Sequence, residues 1–236
     1  MKDFLIHTIP ITVLMLFTAF LGLYYIYSNK KVKKATKYFV YFLCLTVTVE
    51  IIGAYAPIAY FTDYAYFSFV KGTLFEENYW LYNGYTIVSY FIYISYFKWH
   101  LESAQQKRLI TFLLVLFIVG QIIDFSVSGT YFESYSSYGD IVGTALVLLS
   151  IGLYYYQLLT SDEILKFNTS LPFYISMGAI LLHLVLTPLF IYSSYFDSGS
   201  PDFVKLYKSI VLFTNLLVYL LYSIGFLICL KKKGSS

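Results

Sequence analysis

Apolar residues in this chain gather into seven long stretches, and most of the polar residues collect between them. A bilayer core of roughly 30 Å needs about 20 largely apolar residues at a rise near 1.5 Å each, and every stretch has about that length. The pattern predicts membrane-spanning helices over residues 9–27, 38–61, 79–98, 109–127, 141–159, 172–196 and 208–230. The connections are too short to hold a soluble domain. Lipid obliges each segment to satisfy its own backbone hydrogen bonds, so the expected fold is one all-α, seven-transmembrane-helix bundle over residues 1–233. The closing Gly234-Ser235-Ser236 reads as an expression-tag remnant. No basic n-region and no small-residue cleavage site marks a signal peptide, so the first stretch is expected to stay as an anchor.

Charge adds an orientation. Charged residues make up only 12% of the chain, about half the usual soluble share of roughly 25%. Of the 16 basic residues, 12 fall in the connections after the first, third, fifth and seventh stretches. These are Lys30, Lys31, Lys33, Lys34 and Lys37, then Lys98, Lys107 and Arg108, then Lys166, then Lys231, Lys232 and Lys233. Basic residues near span ends stay in the cytoplasm, which predicts the N-terminus outside and the C-terminus inside. The basic first inner loop would also attract anionic lipid headgroups or an acidic partner, although setting topology is the simpler role for its lysines.

Tyrosine is unusually abundant, with 27 copies. Many lie where a stretch meets its expected cytoplasmic end: Tyr24, Tyr25, Tyr27, Tyr38, Tyr41, Tyr93, Tyr96, Tyr154, Tyr155 and Tyr156. Amphipathic rings favour the headgroup level, so an aromatic belt and packing are expected to account for most of them. Cys44 and Cys229 are expected to pack in the cytoplasmic halves of their spans rather than pair or hold metal.

Between spans, the aromatic 62–78 connection suggests a short interfacial helix or a hairpin arm. The 128–140 connection is rich in Ser, Tyr and acid. Thr160 or Ser161 is the expected cap of a short polar segment that follows. Neither outer connection carries phosphate-loop spacing or a ligand cluster.

Ionisable residues inside a span cost roughly 2.5–3.5 kcal/mol on insertion scales, so each is a candidate for function. Glu50, Asp124 and His183 stand out, accompanied by Asn83, Gln121 and Asn215. At 1.5 Å rise per residue, Glu50 and His183 fall near mid-membrane, while Asp124 and Asn83 lie about two turns from the outer surface. Helical spacing places Thr46, Glu50 and Gly53 on one face, and likewise Asn83, Thr86, Tyr90 and Tyr93. Ser176, His183 and Thr187 share a face of the sixth span, and Asn215, Tyr219 and Tyr222 one of the seventh. These faces are expected to point inward and line an outward-opening cavity for ligand binding or proton relay. The competing account is interhelical hydrogen bonding, at about 0.6 kcal/mol per bond. Pro57 and Pro188 would free backbone carbonyls at a similar depth.

Several functions are disfavoured. The seventh span has no interior lysine for a retinal Schiff base. The Asp-Arg-Tyr and Asn-Pro-x-x-Tyr signatures of eukaryotic G-protein-coupled receptors are missing. The three histidines, His7, His100 and His183, lie too far apart in the chain pattern for a three-histidine zinc site. No glycine-flanked nucleophilic serine accompanies His183. No three-plus-three repeat of small carriers is visible. The chain is not expected to be an enzyme, to hold a cofactor or metal, or to bind nucleic acid.

The runs Val49-Glu50-Ile51-Ile52-Gly53-Ala54-Tyr55, Leu81-Tyr82-Asn83-Gly84-Tyr85-Thr86, Tyr154-Tyr155-Tyr156-Gln157-Leu158-Leu159 and Pro172-Phe173-Tyr174-Ile175-Ser176-Met177-Gly178 carry a resemblance over most of the chain. It resembles small bacterial seven-helix inner-membrane proteins of unassigned function, often encoded beside sensor histidine kinases. An acid expected of that family near Val88 or Ser89 is not present here. The resemblance implies a bacterial cytoplasmic-membrane location and a signalling partner, and no reaction. The expected function is a receptor-like sensor that binds a small ligand from outside and couples to a cytoplasmic signalling protein. The alternatives are a small-solute or proton-coupled transporter with Glu50 and His183 as relay, and a membrane effector or channel.

Overall fold

The computed structural model describes residues 2–29, 31–193 and 201–234. Among them all regular structure is helical: α1 (Lys2–Ser28), α2 (Lys34–Gly53), α3 (Tyr55–Phe61), α4 (Tyr79–His100), α5 (Ala104–Ser128), α6 (Ser137–Leu159), α7 (Leu171–Ser193) and α8 (Pro201–Gly234). Two 3-10 segments, Ser68–Val70 and Asp162–Thr169, lie in the connections. Residues 194–196 of the sixth predicted span lie outside the described residues, as do Lys30 and the last two serines. Gly234, expected to belong to a tag remnant, closes α8.

Six segments are long and apolar enough to cross a membrane: Phe4–Ser28, Lys34–Phe61, Ala104–Ser128, Ser137–Leu159, Leu171–Ile191 and Asp202–Lys232. They mark a multi-pass membrane protein. Whole faces of α1 and α5 are apolar and exposed, with Ile9, Val13, Phe17 and Phe20 on one and Phe112, Val115, Val119 and Ile122 on the other. Only 22% of the most apolar window of each of these two helices is buried. Contiguous apolar surface of this extent suits hydrocarbon and not water.

The third predicted span is different in kind. At 22 residues α4 is long enough to cross, but its tyrosines, Asn83, Ser89 and Ser95 lower its apolar character below that of the six. Its position explains the composition. Side chains of α4 reach α2 (Phe39–Tyr93), α5 (Phe117–Tyr90), α6 (Thr144–Tyr90), α7 (His183 against Tyr90 and Tyr93) and α8 (Tyr222–Tyr93). The faces of α4 turned to these five helices meet protein, so their polar groups find partners rather than lipid.

The other long helices form an arc against it: α1 packs on α2 and α8, α5 on α6, α6 on α7, and α7 on α8, while α4 itself joins α2 to α5 and shows Val88, Phe91 and Trp99 on the outside. Small residues set the closest approaches. A Cβ added at Gly143 would sit 2.6 Å from the Tyr90 ring, and one at Gly225 would sit 2.7 Å from Tyr174 Cβ. At Gly178 it would collide with the Tyr222 ring. Glycine here supplies the room that a tyrosine on the facing helix fills.

The span expected over 38–61 is broken at Ala54, between α2 and α3. Pro57 causes the break. It has no N–H to return to the carbonyl of Gly53 four residues back, and Asn78 Nδ2 donates to that carbonyl instead, at 2.8 Å. Elsewhere the helices run further than apolarity alone indicates. Ser103 Oγ accepts from Gln106 N and starts α5; Ser136 Oγ accepts from Gly139 N at 3.0 Å and starts α6. Side-chain caps of this kind extend helices into polar sequence. Neither Thr160 nor Ser161 caps the segment after α6: their hydroxyls donate back to carbonyls of α6 at Tyr156, Gln157 and Leu158.

The tyrosines divide. Tyr24, Tyr27, Tyr38, Tyr41 and Tyr156 are exposed, as a belt requires. Tyr93, Tyr96 and Tyr154 are buried and belong to the core. At the basic end, Phe39, Tyr96, Phe97, Tyr222 and Phe226 have no accessible surface. Phe39 lies edge-on to Tyr222 with centroids 5.4 Å apart and 5.2 Å from Tyr96, so aromatic packing fills that half of the bundle.

Candidate functional site

Most of the faces expected to point inward do so: Thr46, Gly53, Asn83, Tyr90, Tyr93, Ser176, His183, Thr187, Tyr219 and Tyr222 are buried, whereas Glu50, Thr86 and Asn215 are half-buried. What they meet differs from helix to helix.

Glu50, near the end of α2, accepts a hydrogen bond from Tyr82 Oη of α4 at 3.1 Å. One turn earlier, Thr46 Oγ1 and Tyr85 Oη are 2.9 Å apart. The α2–α4 contact is thus laced by two tyrosines, one of which lies over Gly53.

Asn83, Gln121 and Asp124 gather around the α5–α6 connection. Asn83 Nδ2 donates to the carbonyls of Tyr131 and Ser134, both at 2.9 Å, and ties the connection to α4. Asp124 accepts from Ser136 Oγ at 2.7 Å, and Ser136 in turn caps α6. Gln121 packs against Gly139, is 1% exposed, and has no hydrogen-bond partner at either amide atom among the described residues.

His183 belongs to a separate cluster. Its ring stacks on Tyr90, with centroids 5.2 Å apart and an interplanar angle of 29°, and meets Tyr93 edge-on at 5.4 Å. Its Nδ1 is 3.4 Å from Thr144 Oγ1. That hydroxyl is also 2.7 Å from Thr187 Oγ1 and 3.3 Å from Tyr90 Oη. A hydroxyl gives one proton and accepts two, so Thr144 is saturated by these three neighbours. Tyr90 Oη extends the chain to Asp140, 3.3 Å from its carbonyl and 3.5 Å from Oδ1. Beyond Tyr93, the hydroxyls of Tyr93 and Tyr222 meet at 2.9 Å. His183 Nε2 is buried with no partner among the described residues. A ring nitrogen left bare in such a place can take one donor or acceptor from a small guest.

Asn215 donates to the Val211 carbonyl of its own helix at 2.8 Å. No hydrogen bond among the described residues joins any two of Glu50, Asn83, Gln121, Asp124, His183 and Asn215. They sit in four places: the α2–α4 contact, the α5–α6 connection, the α4–α6–α7 cluster and the body of α8.

Asp140 and Thr144 were not legible as site residues. Apolarity starts the fifth span at 141, which leaves Asp140 in a loop. The Ser136 cap moves the helix start back to Ser137, and Asp140 and Thr144 then share a face at one-turn spacing. Among the described residues, no group of three or more His, Cys, Asp or Glu is arranged to hold a metal ion. Cys44 and Cys229 are both free and half-buried.

Comparison with protein families, with curated proteins and with solved structures finds no match to this chain.

Proposed function

We propose that the chain is a receptor-like membrane sensor. Seven helices cross the bilayer of a bacterial cytoplasmic membrane, α4 among them, with the N-terminus outside and the C-terminus in the cytoplasm. A small polar solute from outside enters between α4, α6 and α7, meets His183 Nε2 beside the Tyr90 ring below Asp140, and shifts α6 and α7 against α4. Glu50 and Tyr82 form a second polar contact that the shift would strain. Asn83, Gln121 and Asp124 hold the α5–α6 connection over the opening, and Asn215 lies on the neighbouring face of α8. A cytoplasmic signalling protein reads the movement at the basic end.

One contrast carries this reading. The basic end is filled by Phe39, Tyr96, Phe97, Tyr222 and Phe226, whereas the opposite half holds the hydrogen-bonded cluster of His183, Thr144, Thr187 and Tyr90; buried polar atoms without a partner occur in both halves, at Tyr96 Oη and His183 Nε2. A carrier must open both halves in turn, and opening the aromatic half would expose five large rings that have no accessible surface. A sensor needs only two helix arrangements for which the solute has different affinity. The 12-to-4 division of basic residues supports the orientation.

The test uses liposomes that hold the protein with a fluorophore on Glu163→Cys, in a background without native cysteines. Small polar solutes are added to the outer face. A sensor gives a fluorescence change for at least one solute, lost in His183→Gln, with no uptake of that solute. Uptake on the same timescale would make the protein a transporter, and a response equal in His183→Gln would remove the site.

A further inference from the structure

A groove of about 660 Å³ opens on the outside of the bundle, where α2 and α3 meet the 62–78 connection. Ile51 and Ile52 form one wall; Phe67, Phe69 and Phe75 form the other, and Trp80 of α4 stands at the back. The volume falls within the roughly 300–1,000 Å³ common for sites that hold a small molecule. The two walls are stitched together. Tyr55 Oη contacts the carbonyls of Phe75 at 2.7 Å and Glu77 at 2.9 Å, and accepts from Trp80 Nε1 at 3.0 Å. Asn78 fixes the connection to Gly53 at the helix break.

Three observations define what fits. Every polar side chain in the lining is already engaged: Tyr55 and Trp80 with each other, and Thr73 through its hydroxyl to the Val70 carbonyl at 2.7 Å. A polar guest would lose its hydration and gain no bond. The wall residues Ile51, Ile52, Phe69 and Phe75 are also exposed, and Tyr60 and Phe61 of the same span continue that apolar surface past the groove. The groove therefore opens sideways onto the face that meets lipid. At its rim, Lys71 is exposed and carries its ammonium 5.0 Å above the Tyr64 ring, to which Asp63, Glu76 and Glu77 bring acid, so the edge beside the lining residues Val70 and Thr73 is charged with both signs.

We infer that the groove seats one hydrocarbon chain of a membrane lipid, with the lipid headgroup at this charged rim. The apolar walls take the chain, and the rim, with charges of both signs, meets the headgroup. A lipid held there would brace α2, α3 and the 62–78 connection against α4 through Trp80. The inference rests on the reading that α2 and α3 cross a membrane.

The two tryptophans, Trp80 and Trp99, make it testable. Trp80 lines the groove, while Trp99 is exposed near the other end of α4 against Tyr38. The full chain carrying Trp99→Phe, and separately Trp80→Phe, is placed in phosphatidylethanolamine vesicles with rising fractions of phosphatidylglycerol brominated on its chains. Bromine quenches a tryptophan it touches. Trp80 should reach half-maximal quenching at a severalfold lower brominated fraction than Trp99, and Ile52→Phe, which fills the groove, should raise that fraction to the Trp99 value. Identical curves for Trp80 and Trp99 would overturn the inference, since ordinary surrounding lipid explains them. A Trp80 left unquenched while Trp99 is quenched would also overturn it, and would mean the groove holds something other than lipid. Quenching of neither would overturn the membrane reading itself.

Discussion

The side-chain amide of Asn78 donates to the carbonyl of Gly53 at 2.8 Å and stands in for the N–H that Pro57 lacks. An acceptor left bare in a partly buried site costs about 1–3 kcal/mol, whereas a bond made in full contributes less. Asn78→Ala should therefore lower the unfolding free energy in detergent by about 1–3 kcal/mol. In the Pro57→Ala background, where position 57 again offers an N–H, the same substitution should cost under about 1 kcal/mol. The difference between the two backgrounds measures the coupling. Equal costs would show that proline and asparagine act independently.

The glycine-to-tyrosine contacts give a second expectation. A methyl at Gly178 has no room beside the Tyr222 ring, which is itself fixed by its hydroxyl bond to Tyr93. Overpacking of this kind costs about 1–3 kcal/mol. Gly178→Ala should lower the thermal midpoint, while Gly152→Ala, where an added Cβ meets nothing within 4 Å, should leave it unchanged or raise it slightly. A similar loss at both positions would point to backbone effects in place of the close contact.

The outer connection should respond to pH through a latch. Glu76 accepts from the Tyr64 hydroxyl and, at 2.7 Å, from the Gly72 N–H. The Tyr64 bond first, and then the Gly72 bond, hold the carboxyl below its ordinary value of 4.5. The bond to Glu76 pushes the Tyr64 phenol up to about 12. Glu76 is bound best when ionised, so its stabilisation is complete above 4.5 and is lost as pH falls below that value. Tyr64 is bound best when protonated, so its share is complete below 10.0 and is lost as pH rises through about 12. Trp80 fluorescence in Trp99→Phe should show an acid step below 4.5 that Glu76→Gln removes. Identical acid limbs in the two proteins would contradict the latch.

How far the sequence carried depends on what each residue faces. Apolar blocks locate α1, α2, α5, α6, α7 and α8 because lipid-facing helices must be apolar in long runs. Helical spacing picks out the inward faces, down to His183 and Thr187 on α7. Helix starts set by a single serine, at Ser103 and Ser136, are missed by an apolarity reading. That omission hides Asp140 and Thr144. Depth alone also groups residues that tertiary structure separates: Asn83 and His183 lie in neighbouring layers, yet one binds loop carbonyls and the other a threonine pair. The belt reading of Tyr93 and Tyr96 fails for the same reason, since depth does not report which side of a helix is enclosed.

The central claim is that α4, despite its modest apolar character, crosses the membrane as the seventh helix. Its two ends then face opposite compartments. Leu74, exposed in the connection before α4, and Gln105, exposed at the start of α5, report those ends. Leu74→Cys and Gln105→Cys are made singly in a background with Cys44 and Cys229 replaced, and treated in intact cells with a thiol reagent that does not cross membranes. Labelling of Leu74→Cys in intact cells, with Gln105→Cys labelled only after the membrane is opened, is the result predicted. Labelling of both positions from the same side would contradict the seven-helix account.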